Sequence, residues 1–268
     1  MSDIDLGLAG KVVLVTGGVR GVGAGISRVF REAGAVVITC ARRPADEGSD
    51  VAALEFHPVD LRDPAAVAAM VDAIVERHGR LDVVVNNAGG APFALAADAS
   101  ANFHAKIVAL NLLSALTVAQ EAHRVMTAPG TAGGATGGVI GGVIVNISSV
   151  SGHRPSPGTA SYGAAKAGID SLTGSLAVEW APAVRVNSVV VGPVKTELAE
   201  LHYGDADGVA AVDATIPMGR MADPRDVGLA AAFLASPLAA YITGAELLVH
   251  GGGEKPAFLS ASTAQNAH

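Results

Sequence analysis

Short apolar segments recur along the chain, and stretches with a helical pattern lie between them. Three of these segments are KVVLVT at residues 11–16, AVVITC at 35–40 and VIVNISS at 143–149. Because they lack polar alternation, they are typical of strands buried on both faces of a parallel sheet. Further strands are predicted at residues 54–60, 81–89, 184–191 and 245–252. The pattern predicts an α/β fold, a doubly wound parallel sheet with helices on both faces in three αβα layers.

Helix boundaries are marked by capping residues. Asp63-Pro64 and Asp223-Pro224 each place an N-cap acid before a proline at the first helical position. They predict helices over residues 65–78 and 224–235, and further helices are predicted over 101–126 and 162–179. Residues 127–142 are predicted as a surface loop and residues 196–220 as a flap over a site. We expect one domain over residues 1–268, with its core at 8–253 and a flexible tail at 254–268.

Composition and charge narrow the class of protein. Of 268 residues, 50% are hydrophobic and 16% are charged, which suits a large buried core. The net charge of -7 and the lack of a basic run disfavour nucleic-acid binding. Cys40 is the single cysteine, so no internal disulfide can form. We expect a cytoplasmic location, no membrane partner and no metal site, since the histidines show no ligand spacing.

A glycine-rich stretch follows the first predicted strand and opens the first predicted helix. It reads TGGVRGVG from Thr16 to Gly23. Glycine allows positive φ and a close approach of a ligand to the backbone, while the helix N-terminus offers free N–H groups to a phosphate. A plain turn is the alternative, but the strand–turn–helix context favours a nucleotide site.

Tyr162 and Lys166 stand four residues apart in the small-residue stretch ASYGAAKAG. On a helix, residues at this spacing share one face. An ordinary surface pair is one reading. A proton-transfer couple is the other, because a cation about 4 Å from a phenol can lower the phenol pKa by up to roughly three units.

Five motifs in order resemble the short-chain dehydrogenase/reductase family in its single-domain form. They are the TGxxxGxG turn, the NNAG at Asn86–Gly89, Asn111 in ALNLLSAL, Ser149, and the YxxxK of Tyr162 and Lys166. Ser149 precedes Tyr162 by thirteen positions, as in the family. The resemblance covers residues 8–253 and implies a Rossmann-type fold.

The resemblance also implies the roles of the site residues. Tyr162 would be the general acid or base, Lys166 would lower its pKa and hold the nicotinamide ribose, Ser149 would bind the substrate oxygen, and Asn111 would hold a water. Considered alone, Ser149 would be interpreted as a turn residue at a strand end, and Asn111 as a buried polar residue with its hydrogen bonds satisfied. The implied cofactor contacts are Gly17, Val19, Arg20, Gly21, Val22, Gly23, Arg42, Arg43, Asp60, Leu61, Asn87, Ala88, Gly89, Tyr162, Lys166, Gly192, Val194 and Thr196.

The residues after the second strand bear on which nicotinamide cofactor is bound. Ala41 occupies the position where an acidic residue binds the ribose of NAD, and Arg42 follows it. Arg20 and Arg42 could be solvated surface charges, but together they favour the 2′-phosphate of NADP(H). Asp60 alone would be a helix cap.

The sequence departs from the family after the sixth strand, where Val191 replaces the usual proline, and at His250, which replaces the aspartate of VDGG. These changes put the nicotinamide-side geometry in question. We predict an NADP(H)-dependent oxidoreductase for a small carbonyl or alcohol substrate, the alternatives being an NAD-linked enzyme, a sugar-nucleotide epimerase or a non-catalytic nucleotide sensor. The family implies a homotetramer. Candidate pocket residues are Leu198, Leu201, His202, Tyr203 and Met218, with residues 90–97 and 152–159.

Overall fold

Seven parallel strands form one sheet in the computed structural model, which describes residues 5–129, 141–197, 199 and 203–257. Their order across the sheet is β3-β2-β1-β4-β5-β6-β7. The strands are β1 (Val12–Thr16), β2 (Val36–Ala41), β3 (Glu55–Pro58), β4 (Val83–Asn86), β5 (Gly142–Ser149), β6 (Val184–Val191) and β7 (Glu246–Val249). The predicted doubly wound Rossmann-type α/β fold is therefore confirmed. The strand order reverses between β1 and β4, and a ligand site is expected at the carboxyl edge of such a sheet.

Helices cover both faces of this sheet. They are α1 (Gly21–Glu32), α2 (Pro64–His78), α3 (Ala101–Val108), α4 (Ser114–Met126), α5 (Ala160–Trp180), α6 (Ala206–Thr215) and α7 (Pro224–Ala235). The Asp63 side chain caps α2, and Asp223 forms a capping box with Asp226 at the start of α7. The aspartate before each proline therefore caps its helix, as the sequence predicted.

Two apolar cores separate the layers. One core packs α1 and α7 against one face of the sheet, with Phe30, Val85 and Val227 among its buried members. The other packs α2, α4 and α5 against the opposite face, with Ile74 and Ile144 among its members. Strands whose successive side chains enter opposite cores must be apolar throughout, which is the pattern seen in the sequence.

The predicted long helix over residues 101–126 is not a uniform α-helix. A π-helical segment, Ala109–Leu113, joins α3 to α4. By length and a mean hydropathy of 1.2 alone, the stretch Ala101–Met126 is apolar enough to cross a membrane. Within the structure, 28% of the apolar window of this stretch is buried, and Val118, Ala119 and Ala122 of α4 pack in the core.

The predicted flap over residues 196–220 contains helix α6, which the sequence analysis did not predict. Only Val209 of its ten residues is buried, so the segment lacks the apolar periodicity that reveals a helix. Residues 198 and 200–202 of this segment, residues 130–140 of the predicted surface loop, and the tail from residue 258 lie outside the described residues.

Candidate active site

The turn between β1 and α1 lies at the carboxyl edge of the sheet and depends on the absence of side chains. Gly17 and Gly21 have φ values of 65° and 51°, in the region that favours glycine. A Cβ on Gly23 would lie 2.1 Å from the Gly17 carbonyl oxygen and 2.6 Å from Asn87 Nδ2. We call residues 17–23 the glycine turn. Gly17 and Gly21 allow the positive φ angles of the turn, and Gly23 allows the backbone of α1 to pack closely against Gly17 and Asn87.

Polar contacts from β1 and β4 hold the glycine turn in place. Thr16 Oγ1 accepts hydrogen bonds from the backbone N–H groups of Asn87 and Ala88, each at 3.0 Å. Asn87 Nδ2 donates to the carbonyl oxygens of Thr16 (2.9 Å) and Gly17 (3.3 Å). The structure therefore gives the side chain of Asn87, a predicted cofactor contact, a supporting role beneath the turn.

The N-terminus of α1 faces the same edge. Its N-cap residue Arg20 makes no side-chain capping bond. The Gly21 N–H instead donates to Glu197 Oε1 at 3.0 Å, a contact between residues 176 positions apart that the sequence did not reveal. A cavity of about 280 Å³ beside this contact is lined by residues that include Arg20, Gly21, Thr196 and Glu197. Because a helix N-terminus attracts anions, the turn is suited to a phosphate group.

The predicted adenosine side of the site begins at the end of β2. Arg42 and Arg43 follow this strand and are exposed, as is Arg20 at the N-cap of α1. The hydrogen bond from Arg62 is the main cause that lowers the pKa of Asp60 to about 2, and the charge of Arg42 contributes. Arg42 and Asp60 thus lie close enough to interact. Leu61 is buried next to Asp60.

Tyr162 and Ser149 meet at the carboxyl ends of the central strands. Ser149 is the last residue of β5, and Tyr162 lies in the first turn of α5. Burial raises the pKa of Tyr162, whereas a hydrogen bond with the Ser149 hydroxyl lowers it. Burial has the larger effect, so the net direction for the Tyr162 pKa is upward. That Lys166 favours the ionised phenol stays a prediction.

Lys166 is buried, with 4% of its surface exposed. Its Nζ donates to the carbonyl oxygen of Ile147 (2.7 Å) and lies 5.6 Å from the centre of the Tyr162 ring. Tyr162 and Lys166 therefore share one face of α5, as their spacing predicted. Burial lowers the pKa of Lys166 to about 8, and the charge of Asp170 opposes this effect.

Asn111 lies in the π-helical segment, where its amide is held on three sides. Nδ2 donates to the carbonyl oxygens of Ile107 (2.9 Å) and Gly90 (3.0 Å), and Oδ1 accepts from the Gly90 N–H (2.7 Å). A Cβ on Gly89 would lie 2.5 Å from Asn111 Oδ1 and 3.5 Å from Lys166 Nζ. The structure therefore brings Asn111, Gly89 and Lys166 together. π-Helical segments of this kind often occur at functional sites.

The predicted nicotinamide side is formed after β6. Val191 is a buried residue of that strand, paired with Ser149 and Val249, in a position that would suit proline poorly. The Gly192 N–H donates to the Val249 carbonyl oxygen (3.1 Å), which extends the pairing by one residue. Val194 pairs with Ala222, and Thr196 lies beside Gly21. Val191 therefore continues the pairing of β6 at the position where the family pattern has proline.

The predicted pocket segments also meet beside Tyr162. The Ala94 N–H donates to the Gly158 carbonyl oxygen (2.8 Å), and a Cβ on Gly158 would collide with the Phe93 ring. A small cavity between them is lined in part by Tyr162, His104 and Phe103. Of the other candidate pocket residues, Tyr203 is half-buried and Met218 is exposed, while Leu198, Leu201 and His202 lie outside the described residues.

A cluster of one histidine and two acidic side chains, which the sequence did not reveal, includes Asp170, four residues after Lys166 on α5. His153, Asp170 and Glu246 have ligand atoms within 4.8 Å of one another. His153 Nε2 lies 3.1 Å from Asp170 Oδ2 and 3.3 Å from Glu246 Oε2. The contact of His153 with Asp170 is a hydrogen bond, and we interpret the group as a polar cluster, not as a metal centre. Its members are far apart in sequence, so no spacing could have indicated it.

Comparison with known proteins identifies the relatives of this chain. A family model described as enoyl-(acyl carrier protein) reductase matches residues 17–254. The chain is 37% identical to the oxidoreductase UcpA of Escherichia coli K12, covering 94% of this chain and 98% of that protein. It is also 37% identical to an L-fucose dehydrogenase of Bos taurus, over 92% of this chain and 90% of that protein.

Solved structures agree with these relatives. The aldohexose dehydrogenase of Thermoplasma acidophilum in ligand-free form is similar at a TM-score of 0.81 and 30% identity, covering 97% of this chain and 98% of that one. One relative is longer: the chain spans 43% of an uncharacterized short-chain type dehydrogenase/reductase of Sinorhizobium fredii, with 35% identity over 91% of this chain. This chain belongs to the short-chain dehydrogenase/reductase family of oxidoreductases, whose members use a nicotinamide cofactor.

Proposed function

We propose that this protein transfers a hydride between NADP(H) and a carbonyl or secondary alcohol substrate, with Tyr162 as the general acid or base. The proposal depends mainly on one observation. Ser149, Tyr162, Lys166 and Asn111, which we call the catalytic group, meet at the carboxyl edge of the sheet beside the glycine turn. The turn fits a dinucleotide, because its glycines allow a tight turn at the N-terminus of α1, where backbone N–H groups can bind a phosphate.

The residues of the catalytic group then have distinct tasks. The bound cofactor supplies or accepts the hydride at the substrate carbon. In reduction, Tyr162 donates its proton to the carbonyl oxygen, and its burial keeps that proton in place until the negative charge develops. The Ser149 hydroxyl donates a hydrogen bond to the same oxygen. In its charged form, Lys166 stabilises the phenolate that Tyr162 becomes, and Asn111 holds the neighbouring backbone at Gly90.

The catalytic assignment is tested with the purified protein, NADPH or NADH, and a panel of ketones, aldoses and secondary alcohols. We expect Tyr162→Phe to lower kcat about 100- to 10,000-fold, the usual contribution of a positioned proton donor. Cofactor affinity should change little, because the hydroxyl alone is removed. Full turnover by the phenylalanine variant would contradict the assignment. Cofactor binding without turnover on any substrate would favour the nucleotide sensor instead.

The preference for NADP(H) is supported by the charges around the glycine turn and β2. Arg20 and Arg42 are exposed, and residues 41–43 contain no carboxylate that would bind the ribose hydroxyls of NAD. Arginine binds a phosphate through several fixed donors. The 2′-phosphate of NADP(H) would therefore be paired with Arg42 and Arg20, with Arg43 as a further cation nearby.

The cofactor preference is tested with Arg42→Gln. We expect kcat/KM for NADPH to fall about 10- to 100-fold, the effect of losing one charge-assisted contact, while the value for NADH is unchanged or rises. Arg225→Gln is the matched control, because Arg225 is an exposed arginine at the start of α7 that pairs with Glu32. Equal losses for both cofactors, or for both variants, would favour the NAD-linked alternative.

We also propose that the protein is a cytoplasmic homotetramer. Two separate exposed apolar patches support two kinds of contact between copies, as a tetramer with dihedral symmetry requires. One includes Leu113 and Val178, from the π-helical segment and α5, and the other includes Leu229, Phe233 and Leu248 on α7 and β7. Light scattering should give four times the mass of the chain. Phe233→Glu and Val178→Glu should each reduce it to that of a dimer.

A further inference from the structure

Asp170 is a buried carboxylate on the helix that carries Tyr162 and Lys166. It follows Lys166 by four residues on α5, which places the two Cβ atoms about 5–6 Å apart on one face. The residue is 7% exposed. Its Oδ2 accepts a hydrogen bond from Ser148 Oγ (2.7 Å), and its Oδ1 accepts one from Ser188 Oγ (3.1 Å). The catalytic assignments above give this carboxylate no task.

Strand β5 holds both Asp170 and Lys166. The Ile147 carbonyl oxygen accepts from Lys166 Nζ, and the next residue, Ser148, contacts Asp170 Oδ2. Ser148 Oγ also lies 3.3 Å from the backbone carbonyl oxygen of Lys166. Two neighbouring residues of one strand therefore position the cation and the anion of one helix turn. The Asp170 carboxylate is oriented by hydroxyl donors from two strands, Ser148 of β5 and Ser188 of β6.

The charges that surround this pair are few in the described part of the chain. His153, in the loop before α5, lies 3.1 Å from Asp170, and Glu246 of β7 lies beyond it, 3.3 Å from His153. Tyr162 is on α5 itself, and from α3 His104 contacts Ser161. Arg185 of β6 donates to the carbonyl oxygens of Ile242 and Ser236 instead. Among the described residues, Asp170 is the one charge that acts on the pKa of Lys166.

We propose that Asp170 is a positioning residue that keeps Lys166 protonated at the pH at which the enzyme works. The inference rests on the proposed function, in which a charged Lys166 stabilises the Tyr162 phenolate. Asp170 touches neither substrate nor cofactor in this role and acts through Lys166 alone. His153, Ser148 and Ser188 hold the carboxylate in place one helical turn after Lys166.

The physical reason is the cost of burying an ammonium group. Burial lowers the pKa of Lys166 to about 8, close to physiological pH, even with the opposing effect of Asp170. Without a negative charge at residue 170, the pKa must fall further. Lys166 would then lose its proton near neutral pH, and the phenolate would lose its nearest cation.

The experiment is an NMR titration of the protein labelled with ¹³C at Cε of lysine. The chain contains five lysines, and Lys166→Arg identifies the signal of Lys166 by its loss. We expect Asp170→Asn, which has the same shape without the charge, to lower the Lys166 pKa by about one unit or more. An unchanged Lys166 pKa would overturn the proposal. Asp170→Ser gives the same readout if the asparagine variant does not fold.

Ser188→Ala is the matched control, because it removes one hydrogen bond to Asp170 and leaves the charge. The proposal requires a Lys166 pKa close to that of the wild type, and a decrease as large as that of Asp170→Asn would show a merely structural role. In ketone reduction, the alkaline limb of the kcat profile should move to lower pH with the Lys166 pKa. The titration needs no turnover, so it decides the role of Asp170 even if the proposed activity is wrong.

Discussion

The glycine turn and the catalytic group lie on the same edge of the sheet but are built in opposite ways. The glycine turn works by leaving side chains out, and its geometry is set by residues 17–23 with support from Thr16 and Asn87. The catalytic group works by burying polar and charged side chains that come from β5, α5 and the π-helical segment. One region is sensitive to added volume, and the other is sensitive to lost hydrogen bonds and charges.

The two regions also differ in their effect on stability. The glycine turn does not oppose folding, because its polar groups are paired in ordinary hydrogen bonds between backbone and side chain. The catalytic group includes a lysine with 4% of its surface exposed, whose charge opposes folding at neutral pH. Function in this region therefore costs stability, and substitutions should separate the two regions by what they change.

Among the substitutions that compare the two regions, Ser149→Ala in the catalytic group should have the largest effect. Loss of a hydrogen-bond donor to the substrate oxygen should lower kcat about 100- to 1,000-fold. The Ser149 hydroxyl accepts from the nearby Ser151 N–H and shares a hydrogen bond with Tyr162, and neither contact joins distant parts of the core, so the melting temperature and the cofactor Kd should change little. Steady-state kinetics and a fluorescence titration with NADPH check both parts. A kcat within a few-fold of the wild type would contradict the role of Ser149 as a hydrogen-bond donor to the substrate oxygen.

The next effect concerns the pH dependence of stability. The folded pKa of Lys166 is about 8, below the ordinary lysine value of 10.5 that applies in the unfolded chain. Between these values the unfolded chain binds more protons, so stability rises with pH through this window. The free energy of unfolding should gain about 2–3 kcal/mol from pH 8 to pH 10.5 relative to Lys166→Met. Urea unfolding of both proteins at several pH values measures this difference, and parallel curves would contradict it.

A somewhat smaller effect is expected from Gly23→Ala in the glycine turn. Its Cβ would lie 2.1 Å from the Gly17 carbonyl oxygen, so the turn must move. We expect a loss of about 1–3 kcal/mol in the free energy of unfolding, with weaker cofactor binding. Thermal melts with and without NADPH measure the two losses.

Gly174→Ala on α5 is the control for that substitution and should have the smallest effect. Outside the backbone of its own helix, no atom of the described residues would lie within 4 Å of an added Cβ, and the φ of Gly174 is not positive. Alanine should therefore stabilise the helix by about 0.5–1 kcal/mol. Equal destabilisation by both alanines would show that the close contact at Gly23 is not the cause.

Much of the fold could be predicted from the sequence. The predicted strand at residues 184–191 and the predicted helix at 224–235 match β6 and α7, because apolar runs and Asp-Pro caps are local signals. Helix α6 was missed, since a helix with one buried residue has no apolar face to reveal it. The π-helical interruption at Asn111 was missed as well, because an inserted residue leaves the composition of a helix unchanged.

The residues of the candidate site also fall into those with a local sequence signal and those without one. The spacing of Tyr162 and Lys166 and the glycine pattern could be identified from neighbours in the chain, because both depend on one helix or one turn. The contact of Glu197 with Gly21, and the group of His153, Asp170 and Glu246, involve residues from separate elements. Nothing in their local sequence marks them.

The sequence by itself determined the order of the seven strands along the chain, the bare backbone of the glycine turn and the shared face of Tyr162 and Lys166. These follow from helix and strand periodicity and from the conformational freedom of glycine, which act over a few residues. Only the tertiary structure decided the direction of the Tyr162 pKa and the position of Asp170 behind Lys166. A pKa depends on what surrounds a group in space, and desolvation and long-range contacts exist only once the chain has folded.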